Sequence, residues 1–221
     1  KTVSGEGILS EITQKFNPAM EFTDTDLVSM LYYLGYLTIE GIEVGFPKLK
    51  VPNKVMREIY AEYFLKTLGQ EFNNGIIDSY SEITKELALE GKIDKIIEIL
   101  QKYLKNLSNR DYQRFDEKYI KLIFYCISMN LKIYNVKSEL EVQREYPDIL
   151  LVPRDRAKGY NAVMIEFKYL KKVEESKLKE KQKEAKEQIL KYSNYDEIKD
   201  IEKLNKYTVV AVNDKVHVEK I

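Results

Sequence analysis

The chain has 221 residues, of which 44% are hydrophobic and 33% charged, with 36 basic and 36 acidic side chains. That composition supports a packed core and excludes a disordered chain. Balanced charge excludes a global basic field, so any nucleic-acid contact must use a local patch. A single cysteine, Cys126, excludes an intrachain disulfide and a cysteine zinc cluster, and a single histidine, His217, excludes a multi-histidine metal site. Cys126 lies in "LIFYCISM" and is expected as a buried core thiol. No apolar run reaches about 18 residues and no secretion signal is visible, so a soluble, cytoplasmic protein without membrane contact is expected.

In chain order, residues 5–16 read as weakly helical. In "FTDTDLVSMLYYLGYLTI", Thr23 or Asp24 caps a helix that Gly35 ends. "YLTIEGIEVGFPKLKVPN" then reads as a hairpin with strands at 36–40 and 47–51. Helix followed by hairpin is a winged-helix-like order, which serves either as a packing module or as a DNA-contacting wing. Asn53 caps the next helix, and further helices are expected at about 74–90, 92–107 and 109–130 from apolar residues three and four apart. The sequence thus divides into a winged-helix-like region 1–52, a helical region 53–108 and a third region 109–221.

From residue 131 the period changes. "LKIYNVKSELEV" alternates as a strand does, "PDILLVP" is a short apolar strand, "RDRAKGYN" is a turn, and "AVMIEFKYL" is a second apolar strand. A lysine-rich helix over 173–195 and a buried strand "KYTVVAVND" follow. The resulting order, helix, three strands, helix, strand, makes the third region an α/β unit and the whole chain mixed α+β. The charged helix reads as a solvated face or a phosphate-facing one. No G-x-x-x-x-G-K-[ST] loop is present, which excludes P-loop chemistry within this chain.

The chemistry concentrates in residues 148–168. Alternation across a strand sends Glu166 and Lys168 to one face and Phe167 to the other. Pairing of the two apolar strands through the 153–161 turn would bring Asp148 near Glu166. Two close carboxylates repel unless a proton or cation lies between them, and hard oxygen donors suit Mg²⁺ or Mn²⁺. The backbone carbonyl of Phe167 is a further candidate metal ligand. Lys168 is placed to orient a water and to offset charge on a phosphate. The competing reading is a mutual Glu166–Lys168 ion pair with Asp148 as a strand-initiating turn residue.

Pro147-Asp148 and Glu166-Phe167-Lys168 resemble the motif of the PD-(D/E)XK nuclease superfamily, whose restriction-endonuclease-like core has the order α-β-β-β-α-β. More narrowly, "MLYYLGYLTIEGIEVGFPKLKVPNKVMREIY", "EKYIKLIFYCI" and "AKEQILKYS" resemble parts of prokaryotic proteins that join an AAA-ATPase-like domain to such a nuclease. The resemblance implies a metal-dependent deoxyribonuclease leaving a 5′-phosphate, with DNA as partner. It implies an ATPase domain lying outside these residues, in keeping with the Lys1 start. Asp148 and Glu166 would be metal ligands, Lys168 the catalytic lysine, Glu117 a further metal ligand from the first core helix, and Gln188 with Tyr192 substrate-facing residues. Relatives often carry Gly-Arg before the aspartate, where this chain has Glu145-Tyr146, with Glu139 and Glu141 nearby. A nuclease fold kept as a non-catalytic binding module is the alternative.

Overall fold

The computed structural model describes residues 7–14, 21–70, 76–107, 115–138 and 146–221. Helices and two sheets give a mixed α+β chain. It divides into two compact units, Lys1–Ala61 and Glu62–Ile221.

In the first unit, residues 8–9 form a short strand β1 rather than the weak helix expected there, because pairing with a later strand overrides a weak local preference. Helix α1 (Asp24–Tyr33) starts at the expected place. The Thr23 side chain accepts from the Asp26 amide, and Asp26 accepts from the Thr23 amide, a reciprocal capping box. Strands β2 (Thr38–Glu43) and β3 (Phe46–Lys50) form the expected hairpin, closed by Val44-Gly45, and β3 is the centre of a three-stranded sheet in the order β1-β3-β2. Both turn residues have positive φ (51° and 84°), the geometry that a two-residue hairpin needs. Helix α2 (Lys54–Gln70) follows, with the Asn53 side chain accepting from the Met56 amide.

The second unit holds a helical layer and a five-stranded sheet. Helix α3 (Ile76–Lys85) runs into a wider π-helical turn, Glu86–Glu90, and α4 (Asp94–Asn106) returns. α4 buries Ile96, Ile97, Leu100, Tyr103 and Leu104 along one stripe. Helix α5 (Glu117–Met129) begins after Phe115 and Asp116, which are not helical, and Asp116 caps it through the amides of Lys118 and Tyr119; residues 109–114 of the helix expected over 109–130 lie outside the described residues. Cys126 is buried on α5, and burial pushes its thiol up to about 12.

The sheet runs β4 (Tyr134–Lys137), β5 (Ile149–Pro153), β6 (Ala162–Leu170), β7 (Leu204–Val212) and β8 (Lys215–Lys220), in that spatial order. Only β6 and β7 are parallel, and they are joined across α6 (Leu178–Tyr192) and a one-turn helix α7 (Asp196–Lys199). A parallel pair needs such a crossover. β8 extends the expected core by one strand; its signal was the Asn213-Asp214 turn and the alternation in "KVHVEK". α5 packs on the face carrying Phe167, with the Phe124 and Phe167 rings 5.0 Å apart. On the opposite face Leu150, Val152 and Met164 pack against Ile189 of α6.

Candidate active site

β5 and β6 pair antiparallel with Ile149 opposite Ile165 and Leu150 opposite Met164. Extending that register by one residue sets Asp148 opposite Glu166. Directly opposed residues share a face, with Cβ atoms about 4.5–5.5 Å apart. The hairpin therefore brings Asp148 and Glu166 together, as the sequence suggested. Both lie on the α6 side with Met164 and Leu150. Lys168 follows two residues on, on the same face, and the parallel register places Thr208 beside Glu166.

All three charged groups are buried: Asp148 is 2% exposed, Glu166 2% and Lys168 6%. Uncompensated charges there would be costly, so partners are required. Asp148 Oδ2 accepts from the Phe167 amide at 2.7 Å, while Oδ1 lies 2.5 Å from Lys121 Nζ. Glu166 Oε1 accepts from Lys168 Nζ at 3.1 Å. Glu117 Oε1 lies 2.9 Å from Lys121 and 3.8 Å from Lys168, so it links the two lysines. Glu184 of α6 stands 4.0 Å from Lys168 and is itself held by Lys181 at 2.5 Å.

β5 begins at Ile149, so beyond that point the edge of β6 is free of its neighbour. The N–H and C=O of one strand residue point toward the same neighbour. The Phe167 carbonyl thus lies on the same edge of β6 as the amide that bonds Asp148. That opening also admits Glu117 and Lys121, whose helix packs on the other face.

Burial raises the Asp148 carboxyl well above the ordinary range, and the Glu166 charge raises it further; Lys121 and the Phe167 amide oppose both. Burial also raises Glu166, against the lowering effects of Lys168, Lys121 and the Asp148 backbone amide. Burial works against the Lys121 charge, yet Asp148 and Glu117 outweigh it and hold that ammonium above its usual value.

Glu166 Oε2 is buried and has no hydrogen-bond partner among the described residues, and the same holds for Thr208 Oγ1 and for Gln188 Oε1. Gln188 sits one helical turn after Glu184 on α6. Tyr192 does not join this cluster: its ring packs 5.7 Å from that of Tyr195, against the apolar group of Tyr146, Leu150 and Met164. Glu139, Glu141 and Glu145 lie outside the described residues. A pocket of about 360 Å³ between Pro153, Arg156, Tyr160 and Lys203 lies at the other end of β5, with none of these charged groups in its lining.

Among the described residues no three acidic, histidine or cysteine side chains form a ready metal cage. The donor set nonetheless fits a small hard cation. Mg²⁺ keeps several waters and is commonly held by one or two carboxylates. Asp148 and Glu166 are two such carboxylates, and Glu166 Oε2 is a buried acceptor with nothing bound to it. Sequence reasoning missed Lys121, Glu184 and Thr208. For the helix-borne Lys121 and Glu184 the only signal was helical spacing, as in Glu117 and Lys121 at i and i+4, which any solvated ion pair shares, and Thr208 reads only as a residue of the apolar strand β7.

Among the described residues no helix is long and apolar enough to cross a membrane. No curated protein and no solved structure gives a significant match to the chain. Residues 115–221, which build the five-stranded sheet and its flanking helices, match the model of the PD-(D/E)XK nuclease superfamily.

Proposed function

We propose that residues 115–221 form a divalent-cation-dependent nuclease domain that hydrolyses phosphodiester bonds in DNA. The match of residues 115–221 to the superfamily model supports nuclease-type chemistry. The observation that carries the reading is a buried Glu166 with one unbonded oxygen, opposed to Asp148 and two residues from Lys168. Asp148, Glu166 and the Phe167 carbonyl would hold Mg²⁺ or Mn²⁺, with Glu117 as a further ligand. A bound divalent ion there supplies a positive charge at the phosphate and lowers the pKa of water.

The chain's own groups do the rest. Lys168, held at 3.1 Å by Glu166, orients the attacking water and offsets the negative charge that develops on the phosphate. Gln188 offers a polar group to the substrate from α6, and Tyr192 positions that helix through its apolar packing. Exposed Lys171, Lys172 and Lys179, between the end of β6 and the start of α6, supply the local basic patch that a neutral chain needs for phosphate contact. The helix-then-hairpin order of the first unit supports a winged-helix-like module. Both hairpin lysines there, Lys48 and Lys50, are paired to Glu43 and Glu40, so a DNA-contacting wing gains no support.

The second reading is a non-catalytic module that keeps the fold for nucleic-acid or protein binding beside an ATPase domain. Lys121 favours it, because it already neutralises Asp148. Cleavage of DNA in Mg²⁺ or Mn²⁺ separates the two readings. The nuclease reading expects cleavage by the wild type that is lost in Asp148→Ala and Lys168→Ala. Cleavage that survives both changes, or none by the wild type, would sink it.

A further inference from the structure

We propose that Lys121 is a displaceable internal cation: in the metal-free protein its ammonium stands at Asp148 where a divalent ion would bind, and metal loading requires it to withdraw. The inference rests on the reading of Asp148 and Glu166 as the metal-holding pair, and adds to it a residue that competes for the same oxygens.

Three observations carry it. First, the two oxygens of Asp148 are both engaged, Oδ2 by the Phe167 amide at 2.7 Å and Oδ1 by Lys121 at 2.5 Å. The amide belongs to the strand and cannot leave, so Oδ1 is the oxygen to be vacated. Second, Lys121 also lies 2.9 Å from Glu117, and its charge acts on Glu166. One ammonium therefore attends all three acids expected to hold the metal, and a divalent ion in their midst would repel it. Third, the two lysines of the site differ in freedom. Lys168 projects from β6, which is paired with β7 along its whole length. Lys121 is on α5 beside Glu117, whose side chain is 32% exposed, so a route to solvent lies open. A lysine suits such a role: it is a point charge on a flexible four-carbon stem, without the rigid fork that would lock an arginine to a carboxylate.

Apparent affinity falls in proportion to the fraction of molecules in which the site is vacant. Removing the competing ammonium should therefore tighten metal binding. Calorimetric titration with Mn²⁺ would compare the wild type with Lys121→Met, which keeps the stem length, with Lys121→Gln, and with Asp148→Asn. The expected result is binding at least about tenfold tighter in both Lys121 variants, the factor that corresponds to one vacant site in ten. Equal or weaker binding in those variants, with binding abolished in Asp148→Asn, overturns the Lys121 proposal and leaves the metal site standing. Unchanged binding in Asp148→Asn, or no binding by any of the proteins, overturns both. The wild type gives an independent reading through the ¹⁵N signals of its lysine ammonium groups. Saturating Mg²⁺ should expose the Lys121 ammonium to solvent exchange and leave that of Lys168 protected. A Lys121 signal that Mg²⁺ does not move would also overturn the proposal.

Discussion

The main-chain amide of Phe167 donates to Asp148 Oδ2 at 2.7 Å, just before β5 begins and where β6 runs on past it. That bond ties the carboxylate of the first motif segment to the backbone of the second, and it sets which Asp148 oxygen faces the site. Asp148→Asn keeps an acceptor for the amide, whereas Asp148→Ala leaves a buried N–H unsatisfied. The alanine variant should lose about 1–3 kcal/mol more stability than the asparagine variant. Urea denaturation of the two proteins measures the difference, and equal midpoints would show that the bond contributes little.

Lys168 acts on charge that develops during the reaction, so its removal should spare metal binding. Lys168→Met is expected to lower DNA cleavage by about 10²–10³-fold, the usual scale for one lost electrostatic contact. Mn²⁺ affinity should be kept or raised, because Glu166 Oε1 is freed. Parallel loss of metal binding and cleavage would instead make Lys168 a structural counter-ion.

The raised carboxyls predict a pH dependence with a definite sign. Burial lifts both Asp148 and Glu166 above their ordinary values of about 4. Between those values and the raised ones the folded chain holds protons that the unfolded chain has released. Stability of the metal-free protein should therefore fall as pH rises through that window and be recovered below it. Melting temperatures measured from about pH 4 to 8 should show a shallower fall in the double variant Asp148→Asn/Glu166→Gln. Identical slopes would contradict the assignment.

Gly91 joins the helical layer to the sheet. Its φ is +67°, its carbonyl accepts from the Tyr207 hydroxyl at 2.7 Å, and an added Cβ would come within 2.3 Å of Asn205 Nδ2. Gly91→Ala should cost about 1–3 kcal/mol, the range for a side chain held in the left-handed region. Thermal melting checks this; a loss below about 0.5 kcal/mol, typical of an unconstrained surface position, would argue against a strained joint.

The strand pair and the face shared by Glu166 and Lys168 were legible, because period-2 alternation and a short turn leave few ways to pair "PDILLVP" with "AVMIEFKYL". Lys121 and Glu184 were not, since a helix-borne charge shows its partner only once the helix is docked. β8 was signalled by its turn and alternation, yet six half-polar residues carry little weight beside the apolar "TVVAV". The strand at Ile8–Leu9 exists through its pairing with Lys48 and Leu49, which no local pattern reveals.

The claim that Asp148 and Glu166 together hold one divalent ion is tested most directly by calorimetric titration of the wild type, Asp148→Asn and Glu166→Gln with Mn²⁺. The account predicts one ion bound per chain in the wild type and loss of that binding in each single variant. Binding that persists unchanged in either variant would contradict it.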